Sequence, residues 1–280
     1  MRYTVRAPGS LGDCLAQLLG EASRRTRKQV LAADRVRVNG ATVRSADVAL
    51  AVGDVVEVAA KSAPVGLPAG VRLVHEDDDL LVVDKPAGLL TIATVHERER
   101  TLYAALTARA RPGRVFIVHR LDRAASGLLV FARSPLAKER LQAQFAAHAV
   151  ERTYLAVVEG RPAQASGTVR SRLLDDAPGR VRETRDPGRG RPAVTHWRVV
   201  RVGTCHALVE VRLETGRRNQ IRVHLAGIGH PIAGDAAYGA RTDPLRRLAL
   251  HAHVLGFDHP RTGARRRYES PAPRGFAKFA

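Results

Sequence analysis

Val115-Phe116-Ile117-Val118-His119-Arg120-Leu121-Asp122-Arg123-Ala124-Ala125-Ser126-Gly127-Leu128-Leu129-Val130-Phe131 sets one carboxylate, flanked by two arginines, between two short apolar runs. Both runs are β-branched or aromatic and are bounded by charge or glycine, the pattern of buried strands. Asp122 then stands at the edge of a sheet, where functional loops gather. Taken alone, such an aspartate is a turn residue in a salt bridge, so its weight depends on the rest of the chain.

Outward from that joint, strand-like runs fall at 71–75, 80–84, 115–120, 127–133, 153–159, 194–202, 206–213 and 248–257. Helical stretches interrupt them near 101–110, 135–148 and 217–228. The mixture lacks a regular βαβ alternation, which predicts an α+β domain around a mixed, largely antiparallel sheet. Residues 175–195 are polar, rich in glycine and arginine, and read as an exposed basic loop or hairpin carrying Arg180, Arg182 and Arg185.

A composition break precedes all of this. Two prolines and two glycines within Lys61-Ser62-Ala63-Pro64-Val65-Gly66-Leu67-Pro68-Ala69-Gly70 make a linker. The expected organisation is a small α+β unit over 1–61, a linker over 62–70 and a larger domain over 71–280. In the small unit Leu11, Leu15, Leu18 and Leu19 keep helical spacing, and Val30 and Leu31 lie in a second helical stretch. Asn39-Gly40 between Val36-Arg37-Val38 and Ala41-Thr42-Val43 signals a hairpin. A last strand is expected within Val52–Val58.

The 280 residues carry 46 Lys and Arg against 27 Asp and Glu, a net charge of +19. That excess favours a polyanionic partner, because neutralising phosphates releases counterions. Only Lys28, Lys61, Lys85, Lys138 and Lys278 are lysines, so the surplus is arginine. Aromatics, at 4%, argue against a stacking platform for single strands. No run reaches the ~18 apolar residues of a membrane helix, and the N-terminus has no apolar segment of signal-peptide length. A cytoplasmic protein is expected, with Cys14 and Cys205 as reduced thiols.

The central stretch resembles the HRLDxxTSG signature of the RluA-type pseudouridine synthases. Three further stretches fit the same family in the same order. They are Asp79-Leu80-Leu81-Val82-Val83-Asp84-Lys85-Pro86-Ala87-Gly88, Arg152-Thr153-Tyr154-Leu155-Ala156-Val157-Val158, and Thr215-Gly216-Arg217-Arg218-Asn219-Gln220-Ile221-Arg222-Val223-His224 with Gly229–Asp235 behind it. Ser23–Val30 and Arg35–Gly40, in turn, resemble the small S-four-type RNA-binding domain. There, a basic helix bearing Arg24, Arg25, Arg27 and Lys28 would face RNA.

The resemblance implies an isomerase that converts uridine to pseudouridine in RNA, with no cofactor and no metal. It makes Asp122 the nucleophile, Arg222 its partner and Tyr154 the ring against the target base. Arg120 would wedge into the stack that the flipped base leaves, and Ile221 and Leu250 would line the uracil pocket. Extruding a base costs a few kcal/mol, which the pocket must return. Attack at carbon 1′, attack on the base and elimination through a glycal all fit an ionised Asp122. A phenol of pKa ~10 is a poor base, so packing is the stronger role for Tyr154.

The chain departs from the family pattern twice, with Ala125 in place of Thr and Asn219 in place of His. Asn keeps a donor and an acceptor but cannot ionise. Large-subunit ribosomal RNA is the expected substrate, transfer RNA the second, and a monomer the expected state. The rival from another class is a non-catalytic RNA-binding or ribosome-assembly factor on the same fold. His251 and His253, with His259 nearby, could share a strand face as metal ligands, but no carboxylate or cysteine cluster accompanies them in sequence.

Overall fold

The structure is a computed structural model and describes residues 1–20, 22–32, 34–59, 66–95, 97, 99–110, 113–177 and 179–279, without the side chains of 25, 177, 277 and 279. The chain divides into two compact units, Met1–Gly66 with Thr107–Arg114, and Leu67–Leu106 with Val115–Ala280. Of the expected linker over 62–70, residues 62–65 lie outside the described residues.

The first unit holds β1 (Arg2–Thr4), β2 (Gly9–Ser10), α1 (Leu11–Leu18), α2 (Arg24–Ala32), β3 (Val36–Val38), β4 (Ala41–Thr42), β5 (Ala49–Leu50) and β6 (Val55–Val58). Its main sheet has the order β1-β6-β3-β4. Ser10 caps α1 by accepting from the Asp13 amide, satisfying one of the free N–H groups at the helix start. Leu11 and Leu15 from α1, Val30 and Leu31 from α2, and Val36 and Val56 from the sheet meet in one buried cluster. The β3–β4 turn runs through Asn39 and Gly40, both at positive φ (51° and 81°), as a two-residue hairpin of this hand requires. Asn39 also donates to Asp54 and accepts from the Val55 amide, tying the turn to β6.

The second unit begins with β7 (Arg72–Glu76) and β8 (Leu80–Lys85). It continues through α3 (Leu102–Arg109), whose last turn groups with the first unit, to β9 (Phe116–Ile117), β10 (Ser126–Ala132) and α4 (Pro135–Ala146). Then come β11 (Glu151–Glu159), β12 (Ser166–Ala177), β13 (Arg180–Thr184), β14 (Arg191–Val202), β15 (His206–Leu213), α5 (Gln220–Gly227), β16 (Leu250–Asp258) and β17 (Arg265–Glu269). The sheet order is β13-β12-β14-β15-β11-β16-β10-β8-β7, with β17 on β16 and β9 on β10.

The mixed, largely antiparallel sheet is as expected, and among the strands of the described residues β10 with β16 is the parallel pair. That pairing is short, and it places the end of the Asp122 loop against His251 and Ala252. Gly127 makes it possible. Its φ is +113°, and a Cβ there would run into the backbone of Ala252.

The continuous apolar runs of β8, β10 and β11 are buried along nearly their whole length. Strands covered on both faces read this way. Leu80, Val82, Leu128 and Val130 pack with Leu141 of α4 and with Leu255 and Phe257 of β16. Ser134 caps α4, accepting from the Ala137 amide, and Pro135 stands in its first turn, where a missing N–H costs nothing. The apolar run expected as a strand over 115–120 supplies only the two residues of β9. In the 175–195 segment the hairpin alternative holds: β13 pairs antiparallel with β12, and β12 pairs on its other side with β14.

Candidate active site

Asp122 lies in the loop from β9 to β10, and that loop is fastened at several points. Lys85, 1% exposed, donates its ammonium to the carbonyls of Pro86 (2.8 Å), Leu89 (2.8 Å), Arg123 (3.2 Å) and Ala125 (2.7 Å). Burial first, and then the Arg247 charge, pull Lys85 down to about 8, against Asp122, which favours the ammonium. Thr91 donates to the Leu121 carbonyl at 2.8 Å, and the Gly88 amide donates to that of Arg123 at 2.8 Å. On the β10 side, Ser126 receives a bond from Arg247 (2.8 Å) and meets His251 Nδ1 at 2.9 Å. These contacts leave the Asp122 carboxylate partly exposed on a fixed backbone.

Arg222 faces it from α5. Its Nη1 stands 3.6 Å from Asp122 Oδ2, an ion-pair distance but too long for a hydrogen bond. The two-pronged partner is Asp235: Nε and Nη2 both reach its oxygens at 2.7 Å. The expected pairing of Arg222 with Asp122 is thus present only as the longer contact, and the fork itself goes to Asp235. Asp235, buried, is the stronger acceptor, and Asp122 is left with one edge of the cation. Burial works against the Arg222 charge, but hydrogen bonds and charge from Asp235, with Asp122 behind them, outweigh it and raise its affinity for the proton.

Asn219 and Tyr238 complete the mount. Asn219 sits before α5 in the left-handed region (φ 52°), which Asn tolerates better than most residues. Its Oδ1 accepts from Arg222 Nη1 (3.2 Å), and its Nδ2 donates to the Gly179 carbonyl and the Tyr238 hydroxyl. The Arg222 guanidinium lies over the Tyr238 ring at 4.8 Å. A histidine-to-asparagine departure therefore leaves a positioned acceptor on the arginine.

A small cavity of about 70 Å³ brings the pieces together: Arg120, Asp122, Tyr154, Ile221, Arg222 and Leu250 all line it, with Ala125, Asn219 and Gln220. Every residue placed in the pocket by sequence reaches this wall. Tyr154, on β11, is 9% exposed. Burial is the main reason its phenol is pushed up, with Asp122 adding to it and Arg152 opposing, so it stays protonated at neutral pH.

The basic candidates lie elsewhere. Arg24 and Lys28 are exposed on α2 and Arg27 is half-buried, while the Arg25 side chain lies outside the described residues. Arg180, Arg182 and Arg185 are exposed on or beside β13, with Arg182 paired to Asp176 at 2.7 Å. Cys14 is buried, Cys205 is exposed, and both are free thiols. Among the described residues no helix is long and apolar enough to cross a membrane.

The histidine group weighed as a metal site has other partners. His251 bonds Ser126, and His253 bonds the Ser270 carbonyl at 2.6 Å. His259 instead meets Asp77 and Asp79, where Arg261 grips Asp79 at 2.6 and 2.8 Å and His75 shares Asp77.

In sequence, Asp235 stands at the end of the Gly229–Asp235 stretch without an assigned role; it lies 13 residues from Arg222 and comes near it through the turn after α5. Sequence reading missed the acceptor ring around Lys85.

Comparison with known proteins gives the family. The profile of the RNA pseudouridylate synthase family matches residues 79–227. The chain is 39% identical to the uncharacterized RNA pseudouridine synthase YlyB of Bacillus subtilis, over 95% of this chain and 91% of that one. It is 37% identical to ribosomal large subunit pseudouridine synthase D of Pseudomonas aeruginosa, over 95% and 89%. Among solved structures, human RNA pseudouridylate synthase domain containing 1 matches with a TM-score of 0.62 and 26% identity, over 73% of this chain and 84% of that one.

Proposed function

The chain belongs to the RNA pseudouridylate synthase family and is an isomerase acting on RNA; from that premise we propose that Asp122 is its nucleophile and large-subunit ribosomal RNA its substrate. The observation that carries the reading is the convergence of Asp122, Tyr154 and Arg222 on one cavity from three separate elements. A non-catalytic RNA-binding factor has no need of that convergence.

In this reading the target uridine leaves its stack and enters beside Asp122. Ile221 and Leu250 give it an apolar wall and Tyr154 a ring to lie against, returning part of the unstacking cost. The carboxylate acts on the nucleoside through carbon 1′ attack, base attack or elimination, the glycosidic C–N bond breaks, and the uracil turns and rejoins the ribose through carbon 5. Loss of the carbon 5 proton completes the isomerisation. Arg222 keeps a positive charge beside the carboxylate throughout, which holds Asp122 aimed. Tyr154, protonated in its buried setting, packs rather than abstracts. Arg120, exposed at the rim, replaces the base in the stack by its guanidinium plane.

The first unit is proposed to be an S-four-type RNA-binding domain. Arg24, Arg27 and Lys28 there, with Arg180, Arg182 and Arg185 in the second unit, hold phosphates and add affinity with little sequence information. The large-subunit assignment is supported by the relative from Pseudomonas aeruginosa, whose name carries that substrate.

The test is tritium release from RNA labelled at uridine carbon 5. Release from large-subunit ribosomal RNA by the native protein and none by Asp122→Ala is the expected outcome. Release from transfer RNA alone would move the substrate, and no release from either would remove the reading.

A further inference from the structure

We infer that the groove at Arg152 binds a backbone phosphodiester of the RNA strand next to the nucleotide seated at Asp122. This rests on the reading of the Asp122 cavity as the active site.

Arg152 precedes Tyr154 by two residues in β11 and so shares its face of the strand. The residue is 9% exposed. Its Nη2 donates to the Glu214 carbonyl at 2.7 Å and, weakly, to that of Leu213 at 3.5 Å. Its stem side meets the Phe145 ring, 5.5 Å from the guanidinium carbon. Its Nε has no hydrogen-bond partner among the described residues, and no carboxylate there pairs with the cation. Buried guanidinium groups are ordinarily paired, and an orphaned one marks a place where a counter-charge is missing. Burial accordingly works against its proton.

A groove of about 510 Å³ opens at this residue, lined also by His148, His196, Arg212 and Arg265. Two carboxylates stand in its wall against three arginines: Glu151 pairs with Arg267 at 3.3 Å, Glu214 bonds His196, and Arg265 also reaches Asp258 at 3.4 Å. The charge left over is positive. Leu213 lines both this groove and the small cavity at Asp122, so one strand of RNA can run through the two. Gly216 bears on the same point, since a Cβ there would collide with Arg152 Nη1. Absence of a side chain lets the cation lie against the turn that carries Arg217, which itself lines the Asp122 cavity. An anion in the groove would give the guanidinium, which has only carbonyl partners among the described residues, a counter-charge, and the anion that continuity with the Asp122 cavity supplies is a phosphodiester.

The experiment measures, on one large-subunit ribosomal RNA transcript, tritium release and equilibrium binding across a salt series. Arg152→Met should raise KM about tenfold with the loss falling on KM rather than kcat. It should also flatten the slope of log binding constant against log salt by about 0.7–0.9, the change for one lost phosphate contact. Arg152→Lys should recover most of both. Should Arg152→Met unfold, Arg212→Ala at the exposed rim should still flatten the slope. Phosphate-ethylation interference on the native protein should then find a blocked phosphate beside the target uridine. An unchanged slope in Arg152→Met or, where that variant unfolds, in Arg212→Ala overturns the inference, as does the absence of any ethylation-sensitive phosphate beside the target. If the native protein binds the transcript without releasing tritium, the proposed reaction fails, and the salt slopes still decide the groove.

Discussion

Arg222 holds Asp235 with two prongs at 2.7 Å and meets Asp122 with one edge at 3.6 Å. The buried carboxylate thus fixes the cation, and the partly exposed one is left for the substrate. Asp235→Asn should remove the fixing charge while keeping side-chain size. Breaking a buried pair costs about 3–5 kcal/mol, so stability to urea should fall by about 3 kcal/mol and kcat by about 100-fold. A variant as stable as the native protein, with full activity, would show that the fork is unimportant.

Asp122→Asn should behave in the opposite way. The side chain is 24% exposed and makes only the long contact to Arg222. Stability should stay within about 0.5 kcal/mol, as for a surface substitution, while tritium release drops by at least about 1000-fold. RNA affinity measured by filter binding should be retained. Equal losses of binding and isomerisation would point to a binding role for this carboxylate.

Asn219→Ala separates the two tasks of that amide. It deletes the acceptor on Arg222 Nη1 and the donor to Gly179 and Tyr238. It also puts alanine at φ 52°, a left-handed position that costs a non-Gly residue roughly 1–2 kcal/mol. The expected result is about 2–3 kcal/mol of lost stability and a kcat reduction of about tenfold. Asn219→His should retain more activity than Asn219→Ala, since an imidazole restores an acceptor; kcat of the two variants at equal folded fraction is the comparison.

How much of this was legible in the sequence follows from how local each feature is. The apolar runs of β8, β10 and β11 declare themselves because strands buried on both faces need unbroken apolar composition. β17, Arg265–Glu269, does not: it is an exposed edge strand built from arginines, with only Tyr268 turned to the core. β12 and β13 are only half legible for a similar reason, their charged outer faces reading equally as loop or hairpin. At the site, Asp122, Tyr154 and Arg222 are visible through motifs, whereas the hold of Asp235 on Arg222 and the four carbonyls around Lys85 exist only once the chain has folded. Backbone acceptors leave no trace in residue type.

That carbonyl ring makes Lys85→Met informative. Methionine fills the stem of the lysine, yet leaves the carbonyls of Pro86, Leu89 and Ala125 without their shared donor, while that of Arg123 keeps the Gly88 amide. Each buried acceptor so stranded costs about 1–3 kcal/mol, partly recovered by relaxation. A loss of about 4 kcal/mol is expected, with kcat reduced because the loop under Asp122 loosens. Hydrogen exchange of the 121–125 amides should accelerate before that of β11.

His224 should set the acid limit of the fold. It is fully buried on α5, between the hydroxyls of Ser171 (3.0 Å) and Thr195 (2.8 Å), and burial pulls it down from 6.5 to about 4. The folded value lies below the unfolded one. Between those two values the unfolded chain therefore binds more protons, and stability falls as pH falls through the window. From pH 7 to pH 5 this group should withdraw about 2 kcal/mol. His224→Gln keeps polar atoms for the two hydroxyls and cannot take up the proton, so its stability should change less by about that amount over the same interval. Parallel urea titrations of the two proteins at pH 7 and pH 5 make the comparison, and identical pH dependence would mean that another group governs acid unfolding.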